Sequence, residues 1–322
     1  MSSPAGPTRT KVVLAIDFGG TKIAVGCAAT DGRIFDFRRI PTHADQGAQQ
    51  AVDRALAVAA DMASQATACN GWQMAAAGAV SPGVVLTERV LLAPNVPGWQ
   101  DLALPGLVSR ALPGLPVATG NDVQAAALAE LRWGQLRHVR NGLYVNVGTG
   151  LAAAMVIDGQ LVAGANGAAG EIGYARLSAG HGETATLEDV IGGRSLARRA
   201  AQAAGRPLTT GEAFASRDSE VMAVVDGAIS ELGRHLANFA TLLDPERIVI
   251  GGGLMNDADR ILPTLQRCLN RIVPFPPDLV PGAFVADAAL RGAAALASDV
   301  IDGVDFAYPP AGPHAGGGQP RS

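Results

Sequence analysis

Asp17-Phe18-Gly19-Gly20-Thr21-Lys22 sets a carboxylate at the end of an apolar, β-branched run and follows it with two glycines. Glycines let backbone N–H groups come close to a ligand, so such a turn suits phosphate together with a divalent cation such as Mg²⁺. An ordinary Gly-Gly hairpin with a solvated Asp and Lys reads the same way. Gly148-Thr149-Gly150 stands at the matching point of a second segment built on the same plan, and two such hairpins facing each other could clamp a triphosphate. After the apolar residues 247–250 comes Gly251-Gly252-Gly253, bare backbone against which a flat ring such as adenine can lie, although a glycine triplet is also a common loop. Asn121-Asp122 follows the apolar residues 115–118 and opens a helical run. A carboxylate at that junction is placed to take a proton from a hydroxyl, and either residue could instead be the helix N-cap.

These residues need elements to hold them. Runs 12–16, 23–28, 143–147 and 247–250 are apolar, β-branched and closely followed by glycine, which predicts strands. Ala-rich stretches 49–68, 123–132 and 221–243 predict helices, the last with apolar residues at helical spacing. The chain therefore reads as α/β. Asp31-Gly32 predicts a hairpin turn into strand 34–38, and Asp158-Gly159 predicts another between 151–157 and 160–163. The same order, strand, glycine turn, strand, Asp-Gly, strand, occurs twice, which predicts two homologous halves. We place the boundary near 131–141, giving an extension over 1–11, a smaller domain over 12–133, a larger one over 134–307 and a disordered tail of Pro, Gly and polar residues over 308–322.

At 322 residues the chain exceeds what one core comfortably supports, so two domains around a cleft are expected. No apolar run reaches the roughly 18 uninterrupted residues of a membrane span. The opening residues lack an apolar core of signal-peptide length, so a cytoplasmic protein without membrane partners is expected. A net charge of −4 offers no basic footprint for a phosphate backbone, which argues against nucleic acid as a partner. Cys27, Cys69 and Cys268 are far apart and read as thiols of a reducing compartment; no zinc quartet can be built from them.

The ordered series of Asp17 to Lys22, Pro82-Gly83, Asn95 with Trp99, Gly120-Asn121-Asp122, Gly148-Thr149-Gly150, the stretch Gly164-Ala165-Asn166-Gly167-Ala168-Ala169-Gly170-Glu171-Ile172-Gly173, and Asp244-Pro245-Glu246 through Gly253-Leu254 resembles the ROK family of sugar kinases and repressors. Each motif alone is weak, whereas the set in this order and spacing, over about 12–297, is specific. The resemblance implies a two-domain actin-like ATPase (ribonuclease H-like) fold with the active site in the interdomain cleft. It implies an ATP-dependent hexokinase or glucokinase-type phosphotransferase, with ATP and Mg²⁺ as cofactors and a homodimeric assembly. Asp17, Gly19, Gly20, Thr21 and Lys22 would serve the phosphates, Asp17 also Mg²⁺. Gly148, Thr149 and Gly150 would form the second clamp, and Gly252 and Gly253 would meet the adenosine. Gly83, Asn95, Asn121, Asp122, Glu171, Tyr174 and Glu188 would hold the sugar, with Asp122 as the general base. At a helix N-terminus Asp122 is expected to stay ionised.

This sequence departs from the family pattern in the segment that usually carries a histidine and a cysteine-rich zinc loop. Tyr174 stands for the histidine and no cysteine lies between Cys69 and Cys268, so no zinc site is expected, and the contact that the family's histidine makes near the anomeric carbon of the sugar is not carried over to this chain. His181, in the replaced loop, reads as solvated. Ala152-Ala153-Ala154 stands where glycines are usual, inside a predicted strand that tolerates alanine. Rival readings are a repressor, disfavoured because only sixteen residues precede Asp17; a silent sugar-binding protein, disfavoured by the intact Asp122; and a kinase for an amino sugar or N-acyl hexosamine, or one that uses polyphosphate as donor.

Overall fold

The computed structural model describes residues 10–93, 97–177 and 185–304. Asn95, His181, most of the 1–11 extension and the 308–322 tail lie outside them.

The first unit begins with β1 (Lys11–Phe18), β2 (Lys22–Ala28) and β3 (Ile34–Pro41), successive antiparallel strands, then α1 (Ala48–Asn70). β4 (Gln73–Ser81) follows, then a short hairpin of β5 (Val84–Val85) and β6 (Val90–Leu91), α2 (Leu104–Ala111), β7 (Val117–Asn121) and α3 (Asp122–Trp133). The sheet runs β3-β2-β1-β4-β7, with β1, β4 and β7 parallel. Residues 12–16 of β1 are all apolar and buried because both faces of the strand are covered. Leu14, Ile16 and Phe18 join Val52, Ala55, Ala59 and Met62 of α1 in one buried cluster.

The second unit repeats the plan, as the recurrence in the sequence implied. β8 (Gly142–Val147), β9 (Leu151–Ile157) and β10 (Gln160–Leu161) are antiparallel neighbours. Then come α4 (Glu188–Ile191), α5 (Gly193–Ala204), α6 (Thr210–Ala215), α7 (Ser219–Leu243), β11 (Arg247–Gly251), α8 (Ala258–Ile272) and β12 (Asp278–Pro281). Its order, β10-β9-β8-β11-β12, matches that of the first sheet strand for strand. Val145, Val147, Ile248 and Ile250 pack with Leu232, Leu236 and Leu265 of α7 and α8.

The last helix, α9 (Ala288–Ile301), groups by contact with the first unit, packing on β4, β1 and β7. The division among the described residues therefore differs from the expected 12–133 and 134–307: those of 130–162 and 169–286 form the second unit, and those of 163–168 and 287–304 belong with the first. The reason lies in side-chain size. Gly78 in β4 lies so close to α9 that a Cβ there would collide with the carbonyl oxygen of Ala293, and the buried face of α9 is mostly alanine. Small residues on both surfaces let helix and sheet approach to backbone contact.

Candidate active site

In the first unit the parallel register aligns Asp17 with Val80 and Val80 with Gly120, so β1, β4 and β7 end at one edge. Asn121, 4% exposed, closes β7 and caps α3: its Oδ1 accepts from the N–H groups of Val123 at 2.8 Å and Gln124 at 2.9 Å. Its Nδ2 donates to the Gly83 carbonyl at 2.7 Å, tying the helix start to the loop after β4. The cap is thus Asn121, and Asp122 is the first residue inside the helix. Asp122 Oδ1 accepts from the Val123 N–H at 2.9 Å. Burial pushes its carboxyl up to about 6, with the Val123 and Asp122 amides pulling the other way. Desolvation thus outweighs the amides of the helix terminus. A carboxyl with a pKa near 6 is still about nine-tenths ionised at pH 7.

Asp17 is pushed up further, to about 7, first by burial and then by the charge of Asp122, against the pull of Arg39. Arg39 pairs with Ala24 and Ala24 with Asp17, so arginine and carboxylate stand in one row across three strands. A buried carboxylate raised by the charge of a second one at a sheet edge forms a place where a cation is welcome. Among the described residues no group of three or more His, Cys, Asp or Glu side chains could hold a metal by itself. Trp99, 1% exposed, fastens the loop that follows Asn95: its Nε1 donates to Ser81 Oγ at 2.7 Å and its ring lies 5.7 Å from that of Phe18. Lys22 opens β2 and is exposed.

In the second unit Gly148-Thr149-Gly150 turns β8 into β9, closed by the Gly148 N–H donating to the Gly150 carbonyl at 3.0 Å. The first amides of α5 hold this turn from behind, Gly193 N–H to the Gly148 carbonyl at 2.9 Å and Arg194 N–H to the Thr149 carbonyl at 3.2 Å. In a trans peptide the C=O and N–H point in opposite directions. Tying back those carbonyls turns the Thr149 and Gly150 N–H groups outward, an arrangement that receives an anion. Gly193 permits the approach, since a Cβ there would stand 2.6 Å from the Gly148 oxygen. Gly251 pairs with Asn146, so the glycine triplet leaves β11 beside the end of β8. Gly252 has φ +88°, and a Cβ on it would meet the Val147 carbonyl and Asn146 Oδ1.

Glu171, Tyr174 and Glu188 come together in this unit. Burial and then the charges of Glu171 and Glu188 push the Tyr174 phenol up, so it keeps its proton while the ring remains 48% exposed. Glu188 Oε2 accepts from the Leu151 N–H at 2.8 Å, which links this cluster to the residue after the Gly148–Gly150 turn. Ala153 is buried and donates its N–H to the Gly170 carbonyl at 2.7 Å. Sequence reasoning missed Gly193 and Arg194, for which the Gly192-Gly193 pair before a helical run was the available signal, and Thr42 and Ser81, for which there was none.

Two sheets of one strand order, each with a glycine turn after its first strand, define the two-domain actin-like ATPase fold. The model of the ROK family matches residues 13–300, and the chain belongs to that family. A glucokinase of Streptomyces coelicolor is 29% identical over 287 residues, 81% of this chain and 87% of its own. An N-acetylmannosamine kinase of Pasteurella multocida is 29% identical over 296 residues, 89% of this chain and 97% of its own. A ROK family glucokinase from Streptomyces griseus, solved in complex with glucose and AMPPNP, superposes with a TM-score of 0.75 at 27% identity, over 89% of this chain and 99% of that one. Among the described residues no helix is long and apolar enough to cross a membrane.

Proposed function

We propose that this chain is an ATP-dependent sugar kinase that transfers the γ-phosphoryl group to a hexose hydroxyl, O6 of glucose or a close analogue, with Asp122 as general base. What carries the reading is the division of labour at the start of α3. Asn121 satisfies the amides of the first turn, so Asp122 is not needed as the cap. A carboxyl with a pKa near 6 is ionised at neutral pH and a stronger base than an ordinary aspartate, which suits proton transfer. In the reaction the sugar oxygen forms its bond to the γ-phosphorus as the bond from that phosphorus to the β,γ-bridging oxygen breaks. The hydroxyl proton passes to Asp122, and the bridging oxygen leaves on ADP with the bond's electron pair.

We assign the phosphates to Gly19, Gly20, Thr21 and Lys22 in the first unit and to Gly148, Thr149 and Gly150 in the second. Gly252 and Gly253 receive the adenosine. Sugar hydroxyls fall to Gly83, Asn95, Asn121, Asp122, Glu171, Tyr174 and Glu188. Asp17 holds Mg²⁺, which would neutralise charge on the transferring phosphoryl group. We further propose a cytoplasmic homodimer that takes a small sugar and neither nucleic acid nor membrane as partner.

The S. griseus neighbour with glucose and AMPPNP and the S. coelicolor glucokinase support glucose as the acceptor. The P. multocida relative supports the second reading, an amino-sugar or N-acyl hexosamine kinase. A coupled ADP-release assay with ATP and Mg²⁺ across glucose, mannose, fructose, glucosamine, kanosamine and N-acylated hexosamines decides between them. The highest kcat/KM is expected on glucose, and no ADP release above background on any of them would refute the kinase reading.

A further inference from the structure

Thr42 follows β3 and is fully buried, and no motif of the sequence includes it. Its hydroxyl donates to the Gly19 carbonyl at 2.7 Å and its N–H donates to the Thr21 carbonyl at 3.0 Å, both in the hairpin between β1 and β2. Behind it stands Arg54 of α1, whose Nη2 donates to the Thr42 carbonyl at 2.6 Å and whose Nη1 donates to Gln46 Oε1 at 3.0 Å. Ala51, Val52 and Ala55 on the same helix are buried in the core of the unit. The glycine hairpin is thereby tied through Thr42 and Arg54 to a helix anchored in the core of the unit.

The chemical consequence is one of peptide orientation. A Gly-Gly peptide has little to stop its plane from turning over, because neither residue has a Cβ. With the Gly19 carbonyl held by Thr42, the Gly20 N–H of the same peptide must point the other way. We propose that Thr42, steadied by Arg54, is a positioning residue for the nucleotide: it fixes the Gly19–Gly20 peptide so that the Gly20 N–H is presented to the phosphates before they arrive. The inference rests on the reading of this hairpin as a phosphate site. Holding the plane in advance removes an ordering cost from binding, so the effect belongs to nucleotide affinity and not to the sugar or to the chemical step.

The test is calorimetric binding of AMPPNP with Mg²⁺, and kinetics with ATP, for wild type, Thr42→Val, Thr42→Ser and Arg54→Met. Thr42→Val keeps the shape and leaves the part-buried Gly19 carbonyl without its donor, so AMPPNP affinity falls about tenfold and KM for ATP rises alike. Thr42→Ser restores affinity to within about threefold of wild type and Arg54→Met weakens it about threefold, while kcat and the sugar KM stay within about twofold throughout. Should Thr42→Val not fold, Arg54→Met decides by the same comparison. AMPPNP binding unchanged within twofold in the folded variant, equal losses in the Val and Ser variants, or a parallel rise in the sugar KM overturns the brace alone. A wild-type protein that binds no AMPPNP overturns the reading of the hairpin as a phosphate site and the brace with it.

Discussion

Replacing Asp17 by asparagine is expected to stabilise the nucleotide-free, metal-free protein at pH 8 while destroying activity. The carboxyl has a pKa of about 7 in the folded protein, against an ordinary value of 3.8. Raised by burial and by Asp122, it gives full stability below the unfolded value, and stability is lost as pH rises through about 7. At about 1.4 kcal/mol per pH unit of separation, ionised Asp17 costs at most about 4 kcal/mol above pH 7. Asp17 is only half-buried, and screening by water lowers that to about 1–2 kcal/mol. Asparagine carries no charge to bury, so the melting temperature of the first unit should rise by about 2–6 °C at pH 8. At pH 4, with the native Asp17 protonated, the gain should shrink towards zero. The assay is thermal denaturation with EDTA present, followed from pH 4 to pH 8. A lower melting temperature for Asp17→Asn at pH 8, or a gain that does not change with pH, would refute the account of this carboxyl as a strained, cation-seeking group.

Because the base must be ionised, kcat/KM should fall as pH drops through about 6, to about a tenth of its plateau at pH 5; a flat profile over that range would contradict the assignment. Gly193→Ala drives a Cβ against the Gly148 oxygen, and overpacking of this kind costs about 1–3 kcal/mol, so KM for ATP should rise about tenfold or more. Gly211→Ala in α6, with open space around its Cβ, is the control and should leave KM for ATP within about twofold.

Much of this arrangement was legible in the sequence, and the rest was hidden for identifiable reasons. Strands such as β1, β8 and β11 are mostly apolar runs closely followed by glycine, a pattern that central strands share. β4, with the sequence QMAAAGAVS, escaped because alanine and glycine carry little strand signal. It is a strand because it lies between β1 and β7 beneath α9, where larger side chains would not fit. The return of α9 to the first unit was equally hidden, since it depends on Gly78 meeting Ala293 far along the chain. At the site, the ambiguity of Asn121-Asp122 could not be resolved from residue types, because both cap helices equally well. It was resolved by the two amide bonds to Asn121 Oδ1. Local motifs reveal the residues that face a ligand, and the ones that hold them, Thr42, Arg54 and Gly193, act through long-range hydrogen bonds and close approaches that no short pattern records.

The most direct test of the central claim is the turnover number of Asp122→Asn. Asparagine keeps the size and can still accept the Val123 amide, while Asn121 retains the cap, so the variant should fold with a melting temperature close to wild type. Without a base, kcat for sugar phosphorylation should fall by about 10²–10⁴-fold with KM for ATP changed by no more than about threefold. A folded Asp122→Asn protein that phosphorylates sugar within about threefold of the wild-type rate would show that Asp122 is not the general base.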